Sequence, residues 1–161
     1  MQGKSAYFLK LLFLELEKLN SRKVQLFIRS HPFQNIINLN ALSNFSKINC
    51  KFVNNMDLKS AIYSANIIIY ENTTAGFDAM LSGKPTIYFN PYLSKDTFTA
   101  AKNNASLAIL SAGDIEKKLI KFIDNKQKWK KYSKNGKRYA QKYLGLDKNI
   151  SNVKIITNLI G

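Results

Sequence analysis

The sequence predicts an α/β domain of Rossmann-like type, an open parallel sheet with helices on both faces. Short runs rich in β-branched and aromatic residues alternate with segments of helical periodicity along the chain. The clearest run, Ile67-Ile68-Ile69-Tyr70, is continuously apolar, as is typical of a strand buried on both faces of a sheet. With 161 residues and 45% hydrophobic content, the chain is long enough for one packed domain.

The first half of the chain opens with a predicted helix over residues 5–20, where Leu12, Leu16 and Leu19 recur at helical spacing. A strand over residues 23–29 follows, because KVQLFIR is rich in β-formers and stops at a Ser-His-Pro loop. The next predicted elements are a weak helix over 35–45, a strand over 50–53, a helix over 56–65 and the strand over 67–70.

The second half continues the alternation. A polar turn over residues 71–74 supplies N-cap candidates, and a short helix over 75–82 ends at Gly83. The remaining predicted elements are a buried strand over 86–89, a helix over 98–103, a weak strand over 107–110, helices over 114–125 and 126–144, and a helical or irregular piece over 150–160.

The order of these elements is unusual, because domains of this class normally begin with a strand and that strand lies at the sheet centre. Here the first predicted element is a helix. We expect residues 1–161 to form a single domain with basic C-terminal helices over about 114–160 and no first strand. We further expect it to belong to a longer two-domain protein or to be completed by a partner chain.

Several kinds of site are excluded by composition. A single cysteine, Cys50, and a single histidine, His31, leave no disulfide framework, multi-cysteine zinc site or histidine cluster. We therefore predict no metal and no cofactor, and Cys50 is expected to be a small buried hydrophobe. Neither glycine-rich phosphate-binding motif, GxGxxG or GxxxxGK(S/T), is present. No Ser, His and Asp arrangement resembles a nucleophile elbow either. No apolar run reaches about 18 residues, which favours a cytoplasmic location.

Charge is the extreme feature of the composition: the net charge is +15, which favours an anionic partner. Basic residues concentrate over 117–142, where they alternate with Phe122, Trp129, Tyr132 and Tyr139. Three interpretations remain open. The segment lies on an anionic membrane surface, it binds RNA or an anionic glycan, or it is a solvated helix whose aromatic residues pack on the core.

Two polar clusters follow predicted strands, at the sheet edge where open α/β domains bind ligands. The first is Arg29, His31 and Pro32, in which the proline holds His31 extended. A guanidinium and an imidazole there are suited to a phosphate, and the alternative is a capping or surface histidine.

The second cluster is Glu71, Thr73 and Thr74, at the turn into the helix over 75–82. Two hydroxyls beside free helical N–H groups suit a phosphate or diphosphate, and an ordinary N-cap is compatible with that role. Asp78 lies one turn further on. Its carboxylate is placed to accept hydrogen bonds from ribose hydroxyls, unless it is only a solvated charge.

The segment over residues 70–89, YENTTAGFDAMLSGKPTIYF, resembles the donor-binding half of GT-B glycosyltransferases. These carry an acidic-Ala-x-x-x-Gly-x-Pro pattern, matched here by Asp78, Ala79, Gly83 and Pro85. With the acid and hydroxyl pair upstream and a His-Pro dipeptide at 31–32, the chain is most similar to CDP-glycerol glycerophosphotransferases and capsule polysialyltransferase-like enzymes. The hydroxyl pair is Thr-Thr where serine is common. Glu71 is also one residue closer to Asp78 than in the two-glutamate motif of many retaining enzymes.

The resemblance implies nucleotide or phosphate contacts for His31, Thr73 and Thr74, and also for Arg29 and Asp78. It implies a transferase domain that binds a CMP-, CDP- or UDP-linked sugar or polyol phosphate for synthesis of a cell-surface polysaccharide such as capsule, lipopolysaccharide or a teichoic-acid-like polymer. His31 would stabilise the leaving nucleotide electrostatically. The general base of inverting relatives comes from another domain and is not assigned here. The resemblance also implies work at the inner membrane. A basic nucleic-acid-binding module and a non-catalytic subunit of a split transferase remain the alternatives.

Overall fold

The computed structural model describes residues 2–18, 25–30, 48–71, 73–90, 100 and 103–146. It confirms the α/β class with parallel strands. The strands are β1 (Gln25–Ile28), β2 (Asn49–Phe52), β3 (Ile68–Tyr70), β4 (Thr86–Phe89) and β5 (Leu107–Ile109). The helices are α1 (Gln2–Glu17), α2 (Leu58–Ser64), α3 (Ala75–Leu81), α4 (residues 112–123) and α5 (Lys126–Tyr143).

The strands form two small parallel sheets rather than one continuous sheet. In the first, β1 pairs with β2 so that Leu26 lies opposite Cys50. In the second, the order is β3-β4-β5, with Ile69 opposite Ile87 and Ile87 opposite Leu107. Parallel neighbours require crossover connections, and α3 supplies the one between β3 and β4.

Strand β4 separates the core into two layers because successive side chains point to opposite faces. Ile87 and Phe89 face a cluster that contains Leu12 and Leu16 of α1 and the buried residues of α4. Tyr88 faces a second cluster, which is built with Met80 of α3 and Ala140 of α5. Helices therefore cover both faces of this sheet, as the sequence predicts.

Helix α5 packs closely against the sheet at Gly136. A Cβ atom added there would lie 2.9 Å from the Ala105 carbonyl oxygen, so the absence of a side chain allows the approach. Further along the helix, Trp129 donates its indole Nε1–H to the Phe122 carbonyl at 2.7 Å. Tyr132 contacts Phe122 edge-on, with ring centroids 5.2 Å apart. Trp129 and Tyr132 of α5 thus pack inward on the core, whereas Tyr143, at the end of the helix, is exposed.

The predicted helix over 114–125 is interrupted by a different hydrogen-bonding pattern. Within α4, Ala112–Asp114 and Ile120–Ile123 are α-helical and Ile115–Leu119 is π-helical. Ile115, Leu119 and Phe122 are all buried in one cluster. Their i, i+4, i+7 spacing places the three side chains on one face of the helix, toward the core.

Other element predictions have mixed outcomes. The strand over 67–70 forms as β3, but Ile68 and Ile69 are only half-buried, so the expectation of burial on both faces is wrong within the described residues. Cys50 is likewise half-buried. The helix over 35–45, most of the helix over 98–103 and the piece over 150–160 lie outside the described residues. Of the helices that the structure describes, none has the length and apolar character needed to cross a membrane.

Candidate functional site

The turn from β3 into α3 carries the hydroxyl pair. Thr73 Oγ1 accepts a hydrogen bond from the Ala75 N–H at 3.3 Å, whereas Thr74, at the N-cap position, makes no capping bond through its side chain. Both threonines are exposed. A hydroxyl that accepts one bond still has a hydrogen to donate. Both side chains therefore remain able to donate to an anion at the carboxyl end of β3.

Gly76 allows this turn to lie close to the strand it follows. A Cβ atom at Gly76 would lie 2.5 to 2.8 Å from three ring atoms of Tyr70, the last residue of β3. The Tyr70 ring itself is buried and lies 5.7 Å from the Tyr88 ring, measured between centroids. The glycine of the TTAGF sequence is thus a packing requirement that fixes the start of α3 over the strand end.

Two carboxyl groups flank the turn in different environments. Glu71 is half-buried, and its burial raises the pKa of the carboxyl above its usual range. Asp78, one turn into α3, is exposed. Of the two, Asp78 is the accessible carboxylate that suits hydroxyl recognition, and Glu71 is the one for which the fold favours the neutral form.

A second strand end carries the other predicted cluster. Arg29 is exposed directly after β1, and the adjacent Ser30 is buried. Ser30 and Asn54 join the carboxyl ends of β1 and β2 reciprocally. The Ser30 N–H donates to Asn54 Oδ1 at 3.1 Å, and Asn54 Nδ2 donates to Ser30 Oγ at 2.6 Å. His31 and Pro32 lie outside the described residues.

The Gly-Lys-Pro sequence after α3 has a structural role. Gly83 adopts φ +71°, a left-handed conformation that glycine takes without steric cost. The Lys84 ammonium donates to the Tyr63 and Ala65 carbonyls at 3.0 and 2.7 Å, at the end of α2. Pro85 is buried, and its carbonyl accepts from the Ile68 N–H. These residues hold the fold and do not belong to the site.

A groove of about 590 Å³ lies beside the amino end of β4, on the side of the sheet opposite the carboxyl strand ends that carry the predicted site. Trp129 and Gly83 line it together with Lys126, Lys130, Lys134 and Lys137. This basic groove is therefore separate from the residues predicted to bind the nucleotide. It belongs to the surface of α5.

The structure thus brings Glu71, Thr73, Thr74 and Asp78 onto one turn and places Arg29 at the end of another strand. Sequence reasoning missed Ser30 and Asn54 as the clamp between strand ends, and also Asn90. The buried Asn90 follows β4, and its Nδ2 contacts the Tyr88 hydroxyl at 3.3 Å. The signal available for Asn90 was an Asn-Pro dipeptide directly after a buried strand.

Among the residues that the structure describes, no three His, Cys, Asp or Glu side chains come together as metal ligands would. Comparisons of the chain with protein-family models, with curated proteins and with solved structures each found no match.

Proposed function

We propose that this domain is the donor-binding half of a glycosyltransferase of GT-B type, which binds a nucleotide-activated sugar or polyol phosphate. One observation carries the proposal: two exposed threonine hydroxyls follow the carboxyl end of a parallel strand, with an accessible carboxylate one helical turn away. In open α/β sheets, ligands bind outside the carboxyl ends of the strands. The resemblance of residues 70–89 to GT-B enzymes supports the same location.

Each residue of the site has a role in this proposal. The Thr73 and Thr74 hydroxyls and the Arg29 guanidinium donate to phosphate oxygens, and Asp78 accepts from ribose hydroxyls. His31 stabilises the charge that develops on the departing nucleotide. The acceptor and the general base belong to another domain or chain.

Nucleotide binding is tested by thermal unfolding. A ligand that binds only the folded state raises its melting temperature by mass action. We expect CMP or CDP to raise it more than UDP, and the sugar conjugates to act in the same way. If none of these nucleotides shifts the transition at millimolar concentration, the donor-site proposal is wrong.

The hydroxyl pair is tested by the Thr73→Ala, Thr74→Ala double variant. Loss of a helix cap costs about 1 kcal/mol of stability, whereas each lost hydrogen bond to a charged phosphate costs about 1.5 to 3 kcal/mol of binding. The Asn125→Ala variant is the matched control, because it removes the cap of α5, where Asn125 Oδ1 accepts from the Lys128 N–H at 2.9 Å. Calorimetric titration should show weaker nucleotide binding in the double variant alone. Equal affinities in all three proteins would contradict the phosphate role.

His31 is tested by turnover in the complete enzyme. Replacing it with alanine should reduce transfer about 10²-fold or more, since removing one group that stabilises transition-state charge has effects of this size. Near-normal transfer would make His31 a structural residue.

For α5 we propose an anionic membrane surface as the partner. Between residues 126 and 143 the helix has eight basic residues and no acidic one. Three of its four aromatic residues, Trp129, Tyr132 and Tyr139, are half-buried and packed against the core, and only Tyr143 is exposed. Single-stranded nucleic acid is usually held by exposed aromatic rings on which bases stack, so the inward packing favours a membrane over nucleic acid.

A further inference from the structure

Strands β1 and β3 each turn backbone groups away from their one hydrogen-bonded neighbour. The Val53 N–H donates to the Ile28 carbonyl, so Ile28 faces β2 and Phe27 faces the other way. The Ile68 N–H donates to the Pro85 carbonyl, so Ile68 faces β4 and Ile69 faces outward. In a strand the backbone groups of successive residues alternate in direction. Within the part of the chain that the structure describes, Phe27 and Ile69 therefore present N–H and C=O groups along open sides of the two sheets.

The open side of β3 has none of the features that usually protect a sheet edge. Natural edge strands carry proline or charged residues, above all lysine, and β2 carries Lys51. The run Ile67-Ile68-Ile69-Tyr70 has no such residue, although it is the most apolar strand of the fold. Strand β4, which has neighbours on both sides, is fully buried, whereas Ile68 and Ile69 are half-buried. The composition of β3 is that of an interior strand.

The handedness of the crossovers locates the missing neighbour. Parallel strands are joined by right-handed crossovers. Two crossover helices on opposite faces of a sheet therefore connect to the next strand in opposite directions across that sheet. Helix α3 joins β3 to β4 and packs beside Tyr88 through Met80. Helix α1 packs on the opposite face, beside Ile87 and Phe89. A strand that runs into α1 therefore lies on the side of β1 that leads toward β3.

The strand order gives the same position independently. Doubly wound sheets follow the order 3-2-1-4-5-6, in which the first strand lies at the centre. The pairs seen here, β2-β1 and β3-β4-β5, reproduce the order 3-2 and the order 4-5-6. Residues of both sheets also contribute to one apolar cluster, through Leu26, Ile69 and Ile87.

We propose that β1 and β3 are the two sides of a single strand position, which takes an apolar parallel strand whose carboxyl end lies beside the start of α1. This strand pairs with Phe27 on one side and with Ile69 on the other, and it joins the two small sheets into one. The inference is independent of the proposed function, because it depends only on topology and hydrogen bonding.

The first test is amide hydrogen exchange on the 161-residue chain as it stands. The amides of Phe27 and Ile69 should exchange at least about tenfold faster than those of Ile28 and Ile68, which face a paired strand. Equal protection would mean that another part of the chain already occupies this position, and it would overturn the proposal.

The second test adds the strand. A segment of about five Val and Ile residues with a short Gly-Ser-Asp loop, fused before Gln2, has the length of an average strand and a usual βα loop. We expect it to slow exchange at Phe27 and Ile69 by about tenfold or more and to increase the denaturant m-value, because more surface is buried. The same segment with two prolines, which cannot donate to a ladder, is the control and should do neither.

The amides on the far edges make the second test specific. Cys50 of β2 and Ala108 of β5 face away from their paired strands and should exchange as before, since the proposed strand does not touch them. Protection at Cys50 or Ala108 instead of Phe27 and Ile69, or no protection anywhere, would overturn the proposal. These outcomes do not depend on nucleotide binding, so failure here is distinguishable from failure of the donor site.

Discussion

At the scale of single residues, the most tightly constrained position beside the site is Gly76. Its Cα faces the Tyr70 ring so closely that a methyl group would overlap ring atoms at 2.5 Å. The ring belongs to a buried side chain at the end of β3, so it has little room to move away. Gly76 therefore links the position of the Thr73–Thr74 turn to the packing of Tyr70 in the core.

We expect Gly76→Ala to destabilise the fold by about 1 to 3 kcal/mol, the usual cost of overpacking. Urea unfolding measures the change. Gly113→Ala is the control, because a Cβ atom there would meet only the Ser111 Oγ at 4.0 Å. That variant should be neutral or slightly stabilising, since alanine is favoured over glycine in a helix. Equal stability of the two variants would contradict the close packing of α3 on Tyr70.

Glu71 is the residue whose protonation the fold influences most clearly near the site. Burial raises its pKa, so the folded state favours the protonated form. Its ionisation therefore lowers the free energy of unfolding at pH values above the folded pKa. That loss is recovered as the pH falls through the raised pKa to below the ordinary glutamate value.

We expect Glu71→Gln to be more stable than the wild type at neutral pH and equal to it in acid, as measured by urea unfolding across the pH range. Asp57→Asn is the opposite control. Hydrogen bonds from Ser60 lower the pKa of Asp57, so its stabilising effect is present above the ordinary aspartate pKa and is lost as the pH falls through the lowered one. The two variants should deviate from the wild type in opposite directions, and parallel deviations would show that general charge effects dominate.

At the scale of elements, Lys84 connects the end of α2 to the turn between α3 and β4. Its ammonium donates to two carbonyls at the C-terminal end of α2, Tyr63 and Ala65, and lies 5.9 Å from the Tyr63 ring centroid. The last carbonyls of a helix have no partner within the helix. One side chain thus satisfies both and joins segments that are about twenty residues apart in sequence.

We expect Lys84→Met to lower the free energy of unfolding by about 1 to 3 kcal/mol, because hydrogen bonds that involve a charged group are lost. Nucleotide affinity should not change, since Lys84 contacts only the fold. Lys59→Met on the exposed side of α2 is the control and should stay within about 0.5 kcal/mol of the wild type. A loss of nucleotide affinity in Lys84→Met would place this lysine in the site instead.

The elements also show how far the sequence determines this fold. The strand over 86–89 follows from local patterns alone, and the structure has it as β4. The π-helical turn Ile115–Leu119 could not be predicted, because the i, i+4, i+7 spacing of Ile115, Leu119 and Phe122 is that of a regular α-helix. The half-burial of β3 could not be predicted either, because an apolar run indicates a strand but does not show which strands or helices lie next to it.

The candidate site shows the same limit. Local sequence predicts that Thr73, Thr74 and Asp78 share one turn, because they lie within six residues of each other. The clamp between Ser30 and Asn54 joins residues that are 24 positions apart, and no local pattern specifies such a pair. The long-range hydrogen bonds of Lys84 were missed for the same reason.

At the scale of the whole molecule, charge and aromatic packing are separated on α5. Its basic residues point to solvent, whereas Trp129, Tyr132 and Tyr139 are half-buried. The basic residues therefore form a cationic surface along α5, and of the aromatic residues of this helix only Tyr143 is exposed, stacked on Phe77 with ring centroids 4.8 Å apart. Such a surface suits anionic headgroups, which require charge but no specific ring contacts.

We expect the domain to prefer vesicles that contain about 30% anionic phospholipid over a single-stranded oligonucleotide offered at equal anionic charge. Salt weakens both interactions, so direct competition is the measurement that separates them.

A variant with Lys128, Lys130 and Lys134 changed to glutamine should lose vesicle binding by about 10²-fold, because each lysine near the surface contributes about 1 kcal/mol. The variant with Lys10, Lys51 and Lys59 changed to glutamine loses the same charge elsewhere and should bind vesicles nearly as the wild type does. Equal losses in the two variants would show that net charge alone drives binding. Preference for the oligonucleotide would favour a nucleic-acid partner and overturn the membrane role of α5.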